Sequence, residues 1–446
     1  MIGPILVALL PALTLALALA PDPAALTLRL GSPRFSERQE AAAALEALGD
    51  GALPALREAR ESRDPEIRSR AAALADAIER RRLVLPSLVT LDFRDRPLEE
   101  VIAALGARSG IPLRLAPADI PARRPPRITL EEPQPVPFWV ALDRLCRAGG
   151  LQSSPVSSTL FGGPVGPPSI LLQPGPPPRF TFNSGPFRVR AVGFHHRRDL
   201  MLDPEPGGPE HPALDEQFSL QVQVLVEPRC WIRQAGPVAG LVAADDQGRS
   251  LVPGPGDRPG DPPPEGAFDG SGQESVLPLT IALRHPGQVG RAIKTLRGRV
   301  PVVVWTRRGD PLAIPLAGAS GKTFRGAGIG LEVHSVRDDP NLGRTTIELL
   351  LGTDGAPGEA GGAARGGEWT PQALENRIEV IDSQGRVVPL FLEGVATEEA
   401  GARVTLALMS DGGGGAGLGS PAQLRVFGLI EAPAEVPFEF SDLPTP

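Results

Sequence analysis

The sequence predicts a multidomain, mainly β chain: a short α-helical segment, a small α+β module and two tandem β-sandwiches. Three observations carry that reading. The chain has 446 residues, a length that suits roughly two to four domains. Apolar residues recur at helical spacing only near the front, and alternate with polar ones through most of the remaining chain. Gly and Pro number 52 each, which places many turns and connectors between short strands.

Residues 1–20 come first. Ile2 to Ala20 are almost all apolar and close on Ala18-Leu19-Ala20, a small-x-small pattern that reads as an export signal. An uncut anchor is the alternative, because no Lys or Arg precedes the apolar run and Pro21 follows it directly. The run falls short of the roughly 20 residues a spanning helix needs, which favours the signal. Export would bring Cys146 and Cys230 into an oxidising compartment, where one bridge could join two domains. Against that, Cys146 follows Leu142 and Leu145 on an apolar helix face, the place of a small buried hydrophobe.

The helical segment spans 33–84. Phe35, Ala41, Ala42, Leu45 and Leu48 set a first helix, and Gly49-Asp50-Gly51 breaks it. Leu53 to Ala59 form a second, and Ile67, Ala71, Leu74 and Ile78 mark a third after Ser62-Arg63-Asp64-Pro65. The run from Asp64-Pro65-Glu66-Ile67 to Leu74, with Leu48-Gly49 and Ala52-Leu53-Pro54-Ala55-Leu56, resembles HEAT repeats. That resemblance implies a protein-binding helical stack. Such stacks need about three repeats, and about one and a half are present, so the segment is expected to dock on the next module or on a partner.

Residues 87–152 alternate between the two periods. Val89, Leu91 and Phe93 read as a strand, Pro97 opens a helix bearing Leu98, Val101, Ile102 and Leu105, and Gly110 ends it. Ile111 to Leu115 and Ile128-Thr129-Leu130 are two further strands, and Pro137 to Cys146 a second helix. The order strand, Pro-Leu-Glu-Glu helix, Ser-Gly-Ile turn and Pro-x-Pro-Phe-x-x-Ala-Leu helix resembles the short N-terminal (STN-like) domain of secretins and TonB-dependent receptors. The resemblance implies a periplasmic α+β module that engages another envelope component. It does not extend to channel function, since nothing downstream has the pattern of a ring, plug or outer-membrane barrel.

Residues 153–179 are rich in Pro and Gly and read as a linker. Strand patterns then fill 180–317 and 322–446 in parallel order. Phe187 to Val192 corresponds to Ile329 to Val333, Phe218 to Val224 corresponds to Thr345 to Leu351, and Leu279 to Leu283 corresponds to Val404 to Leu408. Asp245-Asp246-Gln247-Gly248-Arg249 has its partner in Asp382-Ser383-Gln384-Gly385-Arg386, each read as a hairpin tip. Leu312, Ile314 and Leu316 match Val436, Phe438 and Phe440 as closing strands. Two copies of about 130 residues with some seven alternating strands each are expected to form tandem Ig-like β-sandwiches.

Chemistry-bearing motifs are sparse. Gly318-Ala319-Ser320-Gly321-Lys322-Thr323 suggests a phosphate loop, but Leu316 stands where its first Gly belongs and Gly326, Gly328 and Gly330 come next instead of a helix. His195-His196-Arg197-Arg198-Asp199, with Asp203, Glu205 and His211, is the densest set of metal donors, though adjacent strand histidines point to opposite faces. Glu99-Glu100 and Glu131-Glu132 read as a helix start and a strand end. Arg80-Arg81-Arg82 suits a helix C-terminus, and Arg123, Arg124 and Arg127 could meet an acidic partner. His334 is the other isolated candidate base. The usual nucleophile, zinc and dinucleotide signatures do not occur, so no catalytic, cofactor-binding or metal residue is assigned.

Net charge is −7, pI about 5.5, and Lys294 and Lys322 are the only lysines. No basic stripe marks a nucleic-acid partner. The expectation is an exported, periplasmic or secreted, non-enzymatic adaptor whose partner is an envelope protein. Membrane contact is expected only through an uncleaved front segment. A carbohydrate- or calcium-binding sandwich and a hydrolase with an unrecognised site are the alternatives.

Overall fold

The computed structural model describes residues 22–116, 126–156, 169–201, 213–254, 276–285, 290–326, 328–339, 344–353, 374, 376–398, 401–409 and 419–445. The export signal, Arg123, Arg124, Asp203, Glu205 and His211 lie outside them. Strand residues outnumber helical ones about two to one, in several sheets, so the fold is multidomain and mainly β. Among the described residues no helix is long and apolar enough to cross a membrane. The chain divides into two units, 1–80 and 81–446.

The first unit holds α1 (Pro23–Arg29), α2 (Phe35–Leu48), a 3-10 turn (Gly49–Ala52), α3 (Leu53–Ala59) and most of α4 (Pro65–Leu83). Asp22 caps α1 by accepting the Ala24 N–H at 3.0 Å, and Asp64 caps α4 through the Glu66 N–H at 2.8 Å. Helix α1 corrects the expected start at residue 33. Its Leu26, with the capping Leu30, joins Ala41, Leu45, Leu56, Ala71 and Ile78 in one core. The ion pairs Arg57–Glu79 at 3.1 Å and Arg60–Asp76 at 2.8 Å tie α3 to α4.

The second unit begins with the α+β module. It comprises β1 (Leu88–Val89), β2 (Asp92–Pro97), α5 (Leu98–Ser109), β3 (Leu113–Leu115), β4 (Arg127–Glu131), β5 (Val136–Pro137), α6 (Phe138–Gly149), β6 (Leu151–Val156) and β7 (Ser169–Pro174). Strand β1 pairs with β5, β2 with β4, and β7 runs parallel to β3 and antiparallel to β6. Val101, Ile102 and Leu105 of α5 share one core with Phe138, Trp139, Leu142 and Leu145 of α6. The expected linker at 153–179 is corrected by β6 and β7. Ile170 and Leu172 are 1% and 0% exposed in the module core. A short apolar run is enough for a buried strand, however rich in Pro and Gly its surroundings are.

The first sandwich contributes β8 (Thr181–Ser184), β9 (Phe187–Met201), β10 (Ala213–Val226), β11 (Trp231–Ala235), β12 (Ala239–Asp245), β13 (Val276–Leu283) and β14 (Ala292–Arg307). The chain continues through β15 (Leu312–Pro315), β16 (Lys322–Gly326), β17 (Ile329–Asp339), β18 (Arg344–Thr353), β19 (Ile378–Asp382), β20 (Val387–Val388), β21 (Leu390–Glu398), β22 (Gly401–Met409), β23 (Pro421–Val426) and β24 (Leu429–Pro444). One sheet of the first sandwich has the order β13-β10-β9-β8, and the other places β11, β12 and β24 on β14. The second sandwich pairs a β16-β17-β18-β22-β21 sheet with a β15-β23-β19-β20 sheet. Each pair of sheets encloses its own core.

The closing strands reverse the expected assignment. Strand β15, next in the chain after β14, pairs with β23 in the second sandwich, while β24 returns to pair with β14 in the first. The expected boundaries 180–317 and 322–446 therefore give way. The second sandwich runs from Leu312 to Val426, and the first takes back Leu429–Pro444. Length explains the choice: β14 and β24 are each 16 residues, and their register runs from Ala292↔Pro444 to Arg307↔Leu429. Strand β15 has 4 residues and suits the 6-residue β23. Segment 318–321, expected between the sandwiches, instead lies in the turn from β15 into β16, with Ala319 buried in the second core.

Buried polar groups fix the module to the first sandwich. Trp139 Nε1 donates to the Pro186 carbonyl at 2.9 Å, and Arg188 donates to the Trp139 carbonyl at 3.0 Å, to Asn183 Oδ1 at 2.9 Å and to Asp143. The Arg188 guanidinium also lies 4.6 Å from the Trp139 ring centroid. Glu227, 0% exposed, accepts from Ser87 N at 3.0 Å, Ser87 Oγ at 2.7 Å and Arg229 Nε at 2.7 Å. Between the sandwiches, Arg307 donates to the Asn376 carbonyl at 2.6 Å and pairs with Glu379.

The two Asp turns are built alike, as hairpin tips. Asp245 Oδ1 accepts the N–H groups of Gln247 at 3.0 Å and Arg249 at 2.8 Å, and Oδ2 accepts Arg249 Nε at 2.8 Å. Asp382 does the same with Gln384 at 2.8 Å and Arg386 at 2.9 and 2.8 Å, and adds Gly419 N–H at 3.0 Å. Gly248 and Gly385 take φ of 78° and 80°, where a side chain would be strained. Burial alone would raise both carboxyls, but the N–H groups and the arginine outweigh it and hold them below the ordinary aspartate range. A depressed folded pKa stabilises above the unfolded value of roughly 3.9, and that contribution fades as pH falls through the folded one. Asp382→Asn is therefore expected to lower the melting temperature at pH 7 and to shrink the further drop on acidification. Equal acid sensitivity of variant and parent in thermal melts would contradict this.

Candidate metal centre

Pairing in the first sheet brings three donors from distant parts of the chain together. Phe218 of β10 stands opposite His196 of β9 and Leu283 of β13. Side chains two residues apart on a strand share a face. Glu216 therefore shares with Phe218 the face that carries His196, and His285, two residues past Leu283, reaches the same place. The core ends at Phe218, which is 3% exposed. Beyond it the face turns polar.

His196 Nε2 lies 3.0 Å and His285 Nδ1 3.1 Å from the same oxygen, Glu216 Oε1. One donor atom from each of the three side chains lies within 4.8 Å of the other two. The imidazoles stack with centroids 4.3 Å apart, and both meet the Phe218 ring edge-on, at 5.8 and 5.5 Å. Side-chain exposure is 33% for His196, 21% for Glu216 and 14% for His285. Among the described residues His285 Nδ1 is buried and finds no hydrogen-bond partner. Its short approach to Glu216 thus lacks hydrogen-bond alignment. Burial, followed by the nearby His196 and Arg198, lowers the His285 pKa against the opposing pull of Glu216. A neutral imidazole is the form that ligates a metal. Two imidazoles and a carboxylate make a set of intermediate softness, suited to zinc and its neighbours.

Sequence reasoning singled out His196 and missed Glu216 and His285. Spacing holds no trace of the trio, but Phe218 and Leu283 as core residues would have exposed it once paired. His195, opposite Ser219, faces the other way, as adjacent strand histidines must. His334 on β17 lies 3.4 Å from Glu332 and apart from the trio. Lys322 and Thr323 begin strand β16, so no helix N-terminus stands behind them to receive a phosphate. Glu99 and Glu100 occupy the first turn of α5, Glu131 pairs with Arg94, and Glu132 with Arg144. Arg80 reaches Asp76 at 3.9 Å near the end of α4, and Arg127 pairs with Asp95 at 2.6 Å. Cys146 and Cys230 are free and buried in different cores, and desolvation pushes each thiol up to about 11. They serve as small hydrophobes, and the expected alternative of a bridge does not form.

No family model, curated protein or solved structure matches this chain.

Proposed function

We propose that this chain is an exported, non-enzymatic adaptor of the bacterial cell envelope that acts by protein–protein contact. The observation that carries the reading is the buried joint of Trp139, Asp143, Asn183 and Arg188, which fastens the α+β module to the first sandwich. A module meant to hold a partner at a set position needs such a rigid mount, because a loose one dissipates the geometry. The export pattern at 1–20 and the secretin-type resemblance of 87–152 support the envelope setting. The shared strand order β8-β9-β10-β13 and β16-β17-β18-β22 and the twice-built Asp turn support the two sandwiches as copies of one unit whose closing strands have changed places. Together they make the stem.

Among the described residues β3 pairs only with β7, so its other edge can accept a partner strand. Arg114 and Leu115 are exposed there. A photo-crosslinker placed at Arg114 in the full-length exported chain is expected to give one discrete adduct with an envelope protein. The same probe at Val387, exposed in the second sandwich, is expected to give none. Diffuse labelling of equal strength from both positions would refute the adaptor reading.

A further inference from the structure

We propose that His196, Glu216 and His285 bind one divalent transition-metal ion of the zinc class, with a coordination position left open to solvent. Nothing in the adaptor reading requires this site, and the two stand or fall separately.

Strand geometry supplies the first argument. The three donors lie on one face of neighbouring strands: His196 within β9 and Glu216 within β10, held by their hydrogen-bonded register, and His285 two residues past the end of β13. Metal sites gain affinity when the ligands need little rearrangement. Donor atoms around a tetrahedral zinc ion lie roughly 3.3 Å apart, given bonds of about 2.0–2.1 Å. The distances of 3.0 and 3.1 Å to Glu216 Oε1 are close to that edge.

Unmet bonding is the second argument. His285 Nδ1 is shut away from solvent without a hydrogen bond, although a carboxylate oxygen stands 3.1 Å off. A cation seated between them would satisfy the His285 nitrogen and take the place of the hydrogen bond that Glu216 Oε1 shares with His196 Nε2. The Phe218 ring closes the inner side and holds both imidazoles by their edges. Donor chemistry also selects the ion class: calcium and magnesium take mostly oxygen ligands, six or more for calcium, whereas this set offers two nitrogens and a carboxylate. Three protein ligands leave a fourth tetrahedral position, and the 33% exposure of His196 marks the side from which water or a partner's donor can fill it.

The test uses the full-length protein after treatment with a chelator. Zinc chloride is titrated by calorimetry, and cobalt chloride by visible absorption. One equivalent of either ion per chain is expected, with tetrahedral cobalt bands and a rise in melting temperature. His196→Ala, at an exposed position, and His285→Ala are each expected to weaken binding about tenfold or more, the scale on which even outer-shell partners count. His334→Ala should bind like the parent and controls for stray histidine binding. Metal-free melts establish that each variant is folded. Absence of saturable uptake by the parent, or parent-like uptake by folded His196→Ala, overturns the site.

Discussion

Deleting residues 429–446 is expected to unfold the first sandwich and to leave the second intact. Strand β24 supplies Ile430, Ala432, Val436, Phe438, Phe440 and Leu443 to the first core. Each large apolar side chain withdrawn from a core costs about 1.5–3 kcal/mol in transfer alone. Several together exceed the margin of a whole domain, about 5–15 kcal/mol. The deletion also strips one edge of β14 of its hydrogen-bond partners along nearly its whole length. Hydrogen exchange read by mass spectrometry checks the outcome: peptides from β10 and β13 should lose protection, while those from β18 and β22 keep it. The opposite pattern would restore the boundary expected from sequence. A gentler probe is Phe438→Ala. The Phe438 ring sits over Gly298, where an added Cβ would lie 2.9 Å from Phe438 Cζ. Emptying that fitted space is expected to cost about 3–5 kcal/mol in chemical denaturation.

Arg188→Ala is expected to be the most damaging single change at the joint. Arg188 is 2% exposed, and its guanidinium serves Asp143, Asn183 and the Trp139 carbonyl together. Removing it strands these acceptors. Asp143 keeps 23% exposure, so the cost should fall near 3 kcal/mol, the lower end of the roughly 3–5 kcal/mol range for broken buried pairs. Arg188→Lys should rescue only part, because an ammonium cannot fork to several acceptors in one plane. Asp143→Ala added to Arg188→Ala should cost less than the two separate effects combined, since the pair acts as a unit. Denaturant titration followed by tryptophan emission, to which Trp139 at the joint contributes, reads all four variants, Asp143→Ala alone included. A loss below about 1 kcal/mol for Arg188→Ala would mean that the module is not held by this joint.

Local features were legible in the sequence. The alternation Phe218, Leu220, Val222, Val224 shows there and appears as the buried face of β10. The apolar stripe from Phe138 to Leu145 likewise becomes α6. The Asp-x-Gln-Gly-Arg turns were legible because both of their determinants, the capping Asp and the left-handed Gly, lie within five residues. Pairing over long separations was not legible. Val436, Phe438 and Phe440 announce a strand, but a period-two face fits any sheet, and only the length match with β14 selects the host. Ile170 and Leu172 were hidden by averaging over a segment dominated by Pro and Gly. The candidate metal centre shows the same limit. His196, Glu216 and His285 become neighbours only through the register of β9, β10 and β13.

Cysteine pairing tests the return of the last strand most directly. Arg297 and Glu439 are exposed and stand opposite each other across β14 and β24. Directly paired antiparallel residues have Cα atoms about 4.5–5.5 Å apart, within the roughly 4.4–6.8 Å that a disulfide bridges. The native thiols are buried and do not compete. Arg297→Cys combined with Glu439→Cys should oxidise to an intrachain bridge in the folded protein, seen as one linked peptide pair after digestion. If instead Arg425→Cys in β23 captures Glu439→Cys and Arg297→Cys does not, the last strand belongs to the second sandwich and the strand exchange is wrong.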